Sequence, residues 1–218
     1  MAQAFFNPES KFGGFEGWEI QQSNPTTGKD RAQALGADGD EIASKLHNTK
    51  TSITENFVAV TDGAVIPSVG AIAGGYHIDS ITVTLSNTGF ATMSVTGHKH
   101  GSTVHPACRT YTGTLATVAA IFGAPATVPC ATIPTGAGVR TVTYALAVNH
   151  IDELNNVGEF LAGDNYDGNE TYTVELCDNG VLTAKDGWDA TSVGGGQGNT
   201  AAETATGTFV KHLAHNAA

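Results

Sequence analysis

Two histidines separated by one residue, His98 and His100, close a β-rich stretch, and His105 and Cys108 follow them. On a strand, residues two apart point to the same side, so two imidazoles in this spacing can grip one metal ion. His105, on the loop that follows, would complete a three-histidine set of the catalytic type. Such an enzyme site would also place a carboxylate a few residues on, and Gly101, Ser102, Thr103 and Val104 supply none. The competing structural reading is a hydrogen-bonded strand end at a subunit contact. His98, His100 and His105 therefore stand as a candidate metal site, as an alternative to a purely structural protein.

Other chemistry is harder to build. Asp164, Asn165, Asp167 and Asn169 invite a calcium reading. With Gly168 at the sixth loop position, however, Gly163 and Val174 stand where an EF-hand needs carboxylates. A tight Asx-rich turn is the expectation there. No nucleophile elbow, phosphate loop or dinucleotide fingerprint occurs, and the Gly194, Gly195, Gly196 run precedes no helix. No catalytic residue and no cofactor is expected, and the chain reads as structural and not as an enzyme.

The elements that would carry these residues are strands. Residues 76–85 are rich in β-branched and aromatic types. Tyr76, Ile78 and Ser80 share one parity, whereas Ile81, Val83 and Leu85 share the other, so the apolar face changes over at Ser80 and Ile81. That pattern predicts a bulge or a strand passing between sheet surfaces. Ser86, Asn87, Thr88 and Gly89 supply a turn, and residues 90–99 return as the second arm of a long hairpin. Strands are also expected at 49–60, 139–149, 171–176 and 208–213, with one or two in 109–122. In 139–149 the bulky set Arg140, Val142, Tyr144, Leu146 and Val148 should face inward. Asp40 is expected to cap a short helix over 41–46. Turns or loops are expected at 150–154, 163–169 and 178–180. Residues 123–138 read as a long Pro-punctuated excursion and 193–207 as a flexible Gly/Thr segment.

Size and composition bound the rest. The chain has 218 residues, enough for a substantial core, and only 14% are charged, which speaks for a folded chain over a disordered one. There is no apolar run of about 18 residues, so no membrane span is expected. The N-terminus lacks the basic and apolar regions of a signal peptide. Three cysteines are too few and scattered for a disulfide framework. The net charge of −11 argues against a protein that grips nucleic acid, because neutralising phosphates needs clustered Lys and Arg. It suits a wall past which a polyanion must slide. Together these features predict a mainly β protein: an antiparallel β-sandwich or barrel with one short helix and long interlocking loops or arms. An aromatic N-terminal arm or extension over 1–27 would precede a single domain over 28–218. Phe5, Phe6, Phe12, Phe15 and Trp18 would either dock on a neighbour or pack across the base of the domain.

Several segments carry a diffuse resemblance to a known class. They are Trp18-Glu19, the run from Lys29 to Leu35, the run from Asp38 to Ala43, Thr96 to His100, and Leu161 to Gly168. Across roughly residues 18–190 the chain resembles the tail tube proteins of tailed bacteriophages. The resemblance implies a virion structural protein, made in the host cytoplasm and residing in the tail. Its subunits would join sheets in a ring, usually a hexamer, and rings would stack into a tube with other tail proteins as partners. DNA would pass through an acidic lumen without specific binding. Asp38, Asp40, Glu41, Asp79, Asp152 and Glu153 are the acidic residues expected to be exposed. Alternative readings are a capsid decoration protein, a tail-tip or receptor-binding protein, and a carbohydrate-recognising module with exposed aromatics near Tyr166 or Trp188. The His-liganded metal-binding β-barrel is the remaining one.

Overall fold

The computed structural model describes residues 8–101, 107–177, 180–198 and 201–214. The chain is mainly β and antiparallel. The strands in order are β1 (Trp18–Leu35), β2 (Glu41–Ala59), β3 (Ile72–Ala73), β4 (Tyr76–Ser86) and β5 (Gly89–His100). They continue with β6 (Ala131–Thr132), β7 (Val139–Leu154), β8 (Phe160–Leu176), β9 (Thr183–Ala184), β10 (Asp189–Gly198) and β11 (Ala201–His212). The main sheet runs β1-β2-β5-β4-β7-β8-β11-β10, with β3 added beside β4, and β6 and β9 form a separate pair.

The alternation in the sequence explains the core. Ile53 and Phe57 of β2, Met93 and Val95 of β5, and Ile81 and Val83 of β4 are buried, as are Val142, Tyr144 and Leu146 of β7. Tyr172 and Val174 of β8 and Phe209 of β11 join the same cluster. The intervening Thr and Ser residues take the other face. Apart from exposed Arg140, the inward set expected on β7 is thus the buried one. Much of the layer opposite the sheet is irregular chain: Ala64, Ile66, Val69, Tyr111, Val118, Val128, Cys130, Leu182 and Trp188 close over the apolar face. Two buried carboxylates fasten such segments. Glu170 accepts from the Thr114 amide at 2.7 Å and its hydroxyl at 2.9 Å, and Glu55 accepts from Ser10 Oγ and the Lys11 amide, each at 2.7 Å. Within the segment expected to form an arm, Phe12 and Trp18 are buried, Phe15 packs against the core, and β1 begins at Trp18.

The 76–99 hairpin forms as its pattern requires. Its register slips between Ile78 and Ser80, leaving Asp79 as the extra residue of β4, where the apolar face changes over. Elsewhere the structure corrects local expectations. Residues 41–46 are strand, and no helix is present among the described residues. Six residues hold a helix poorly without tertiary support, and here β1 supplies backbone partners from Arg31↔Leu46 to Leu35↔Glu41. Residues 150–154 and most of 163–169 are also paired, so the turn moves out to 155–159. There Asn155 Oδ1 accepts from the Val157 and Glu159 amides at 3.0 and 2.9 Å. Residues 109–122 carry only isolated bridges, to Val65, Val69 and Phe90. The 123–138 excursion is irregular apart from β6, yet it places Cys130 and Ala131 in the core. The segment 193–207 falls largely within the β10–β11 hairpin. Asp178 and Asn179 lie outside the described residues.

Candidate functional site

Hairpin register builds the site. His77 of β4 is the cross-strand partner of His98 on β5, and His100 lies one alternation further along β5. Residues 149–152 of β7 pair with 163–166 of β8, which sets His150 and Asp152 opposite Asn165 and Gly163. Four imidazoles converge. Ring centroids are 5.1 Å apart for His77 and His98, 4.5 Å for His77 and His150, 5.0 Å for His98 and His150, and 5.3 Å for His98 and His100. His77, His98 and His100 are essentially inaccessible to solvent.

Each ring is oriented through Nδ1. Asp79 Oδ1 lies 2.8 Å from Nδ1 of both His77 and His98. Asn48 Oδ1 holds His100 Nδ1 at 2.9 Å, and Asn165 Oδ1 holds His150 Nδ1 at 2.7 Å. These oxygens accept, so Nδ1 carries the proton and Nε2 is left as the ligand-type atom. Nε2 of His100 and of His150 both approach Asp152 Oδ1, at 3.1 and 2.9 Å. Lys50 Nζ reaches the other Asp152 oxygen at 3.4 Å. Phe160 stacks flat on His100 with centroids 4.1 Å apart.

The electrostatics follow from this packing. Burial works against the charge on Asp79 and Asp152, but the histidines around them, with Lys50 beside Asp152, outweigh it and hold both carboxyls well below the usual range. Burial pushes His77 and His100 down. His150 is also penalised by burial, yet its bonds to Asp152 and Asn165 leave it raised. Cys108 donates to the Gly163 carbonyl at 3.3 Å, and burial pushes its thiol up to about 11.

Of the residues expected to bind metal, His98 and His100 are brought together, whereas His105 lies outside the described residues. His77, Asp79, His150 and Asp152 are the members that the sequence reading missed. Asp79 and Asp152 were expected among exposed acids, but they are partly buried and paired with imidazoles. A two-residue hairpin turn extrapolates to 77 opposite 98, and that pairing is regained because register shifts at Thr84/Ser86 and at Ile78/Ser80 offset each other; no local pattern points to His150. Ligand-capable atoms of His98, His100 and Asp152 all lie within 4.8 Å of one another, as do those of the sets His77, Asp79, His98 and His77, Cys108, His150.

Beside the cluster, a groove of about 520 Å³ runs between the two long hairpins, lined by Lys45, His47, Asn48, His100, Val157 and Phe160. The Asx-rich segment forms no shared cage. Asp164 pairs with Arg109, Asn165 with His150, and Asp167 with His212. Trp188 is in the core while Tyr166 is half exposed, so they form no joint aromatic platform. No protein-family model matches the chain, and no curated protein matches it.

Proposed function

We propose that this chain is a self-assembling structural subunit of a virion, in the role of a tail tube protein whose rings stack into a conduit for DNA. The observation that carries the reading is the open sheet: among the described residues β1 pairs only with β2, and β10 only with β11. Unpaired edge strands are templates for another chain, and soluble monomers blunt them. β10 has the sequence DATSVGGGQG, with no Lys, Arg or Pro to discourage pairing. The β1 edge is interrupted by Pro25 and by register shifts, so pairing there would run on either side of them. Pairing β10 of one copy with β1 of the next is a head-to-tail contact, which generates rings when the rotation closes. In this reading the sandwich or barrel is completed between subunits.

Two further features support it. The distal parts of the long hairpins expose Leu35, Ile42, Leu46, Ile151 and Leu161, an apolar surface that suits contact with an adjacent subunit or ring. The net charge of −11 suits a lumen that repels DNA, and Asp38, Asp40, Glu41 and Glu153 are exposed on those same hairpins.

Negative-stain electron microscopy of the purified chain across concentration and salt tests the proposal. Rings or hollow tubes are expected. Discrete trimers would instead favour a decoration or tip role, and monomers at every concentration would overturn assembly through the sheet edges.

A further inference from the structure

We propose that the imidazoles of His98, His100 and His150, with the Asp152 carboxylate, bind one divalent transition-metal ion of the zinc and cobalt class. The inference stands on the geometry of the cluster and is independent of the assembly reading.

Two observations carry it. The first is convergence. His98, His100 and Asp152 present ligand atoms within 4.8 Å of one another, and His150 Nε2 lies 2.9 Å from the Asp152 oxygen that His100 Nε2 approaches at 3.1 Å. The second is orientation. Asp79, Asn48 and Asn165 accept from Nδ1 of His98, His100 and His150. Metal-binding histidines are characteristically held by such an outer shell of oxygen acceptors, which fixes the tautomer and aims Nε2 at the ion.

The donor set also selects the class of ion. Imidazole and carboxylate donors in small number suit zinc, cobalt or nickel, whereas calcium and magnesium require more oxygens. The ligands come from β5 and β7, so the ion would fasten the base of one long hairpin to the central hairpin.

The test uses the full chain, stripped with a chelator and titrated with Co²⁺ while visible absorption is recorded. One equivalent is expected, with the d–d bands of a low-coordinate nitrogen and oxygen site. His98→Gln and His150→Gln, which remove direct ligands, should each weaken binding by more than the roughly 10- to 100-fold typical of losing an outer-shell partner. Asp79→Asn, which alters the carboxylate that positions His98 and also holds His77, should weaken it by about 10- to 100-fold. His212→Gln, an exposed histidine elsewhere, should leave binding unchanged. X-ray absorption on the zinc-loaded wild-type chain gives an answer even where a variant fails to fold, and imidazole scattering in the first shell is expected. Absence of stoichiometric binding, a shell without imidazole, or undiminished binding by the His98→Gln, His150→Gln double variant would overturn the proposal.

Discussion

Glu170 shows how a charged residue survives full burial in this sheet. One carboxylate oxygen takes the amide and hydroxyl of Thr114 and is approached by the Tyr144 hydroxyl at 3.4 Å, while Lys211 stands 3.8 Å from the other. The burial of Tyr144 in turn pushes its own phenol far above the normal range. Removing the carboxylate strands donors inside the core, and breaking such a buried network costs about 3 kcal/mol. Glu170→Ala should therefore lower the urea midpoint with little change in slope, and Glu170→Gln, which retains an acceptor oxygen, should lose less. Nothing in the alternation around residue 170 announces this role, because its partner Thr114 arrives on an irregular segment far away in sequence. His77 is the contrasting case: its place opposite His98 follows from the turn at 86–89 together with two register shifts that offset each other. His150 and Asp152 depend on the long-range pairing of β4 with β7, and no local pattern contains that information.

Among elements, the two longest hairpins carry most of what the sequence concealed. Residues 41–46 and 150–154 lie in strand extensions with few buried side chains, so they lack the apolar alternation that marks a strand. The extensions support each other where the 155–159 turn meets β2. There the Asn48 amide donates to the Gly158 carbonyl at 2.9 Å, and Lys45 Nζ donates to the Val157 carbonyl at 2.7 Å. Gly158 has a φ of +80°, and a Cβ on it would sit 2.9 Å from that of His47. Gly158→Ala combines backbone strain with this collision and should cost about 1 kcal/mol or more. Hydrogen exchange should report it as faster exchange at the Asn48 amide, with the amides of β4 and β7 little changed.

At the scale of the whole molecule, the antiparallel β class was legible because the central strands alternate cleanly and turn residues punctuate them. Strand order was not, since β2 pairs with β5 across an intervening hairpin arm and composition records no such neighbour. The same order locates a decisive variant. Val193 on β10 is 45% exposed and pairs with Gly207. Lysine on an edge strand discourages further pairing without disturbing the interior. Val193→Lys should keep the circular dichroism spectrum and melting temperature of the parent yet sediment as a single subunit where the parent forms rings.

The strand order also describes a direction of folding during synthesis. Each hairpin joins the sheet through one arm and leaves the other as the next docking strand: β5 joins β2 and leaves β4, β7 joins β4 and leaves β8, and β11 joins β8 and leaves β10. The sheet therefore extends toward one side as the chain emerges, and at every stage the outermost strand is the sticky one. A nascent chain paused after β8 would offer that strand to its neighbours on the polysome, with misassembly as the hazard. Rapid arrival of the β10–β11 hairpin is then a condition of clean folding, and a glycine-rich strand is well suited to be the last surface left waiting.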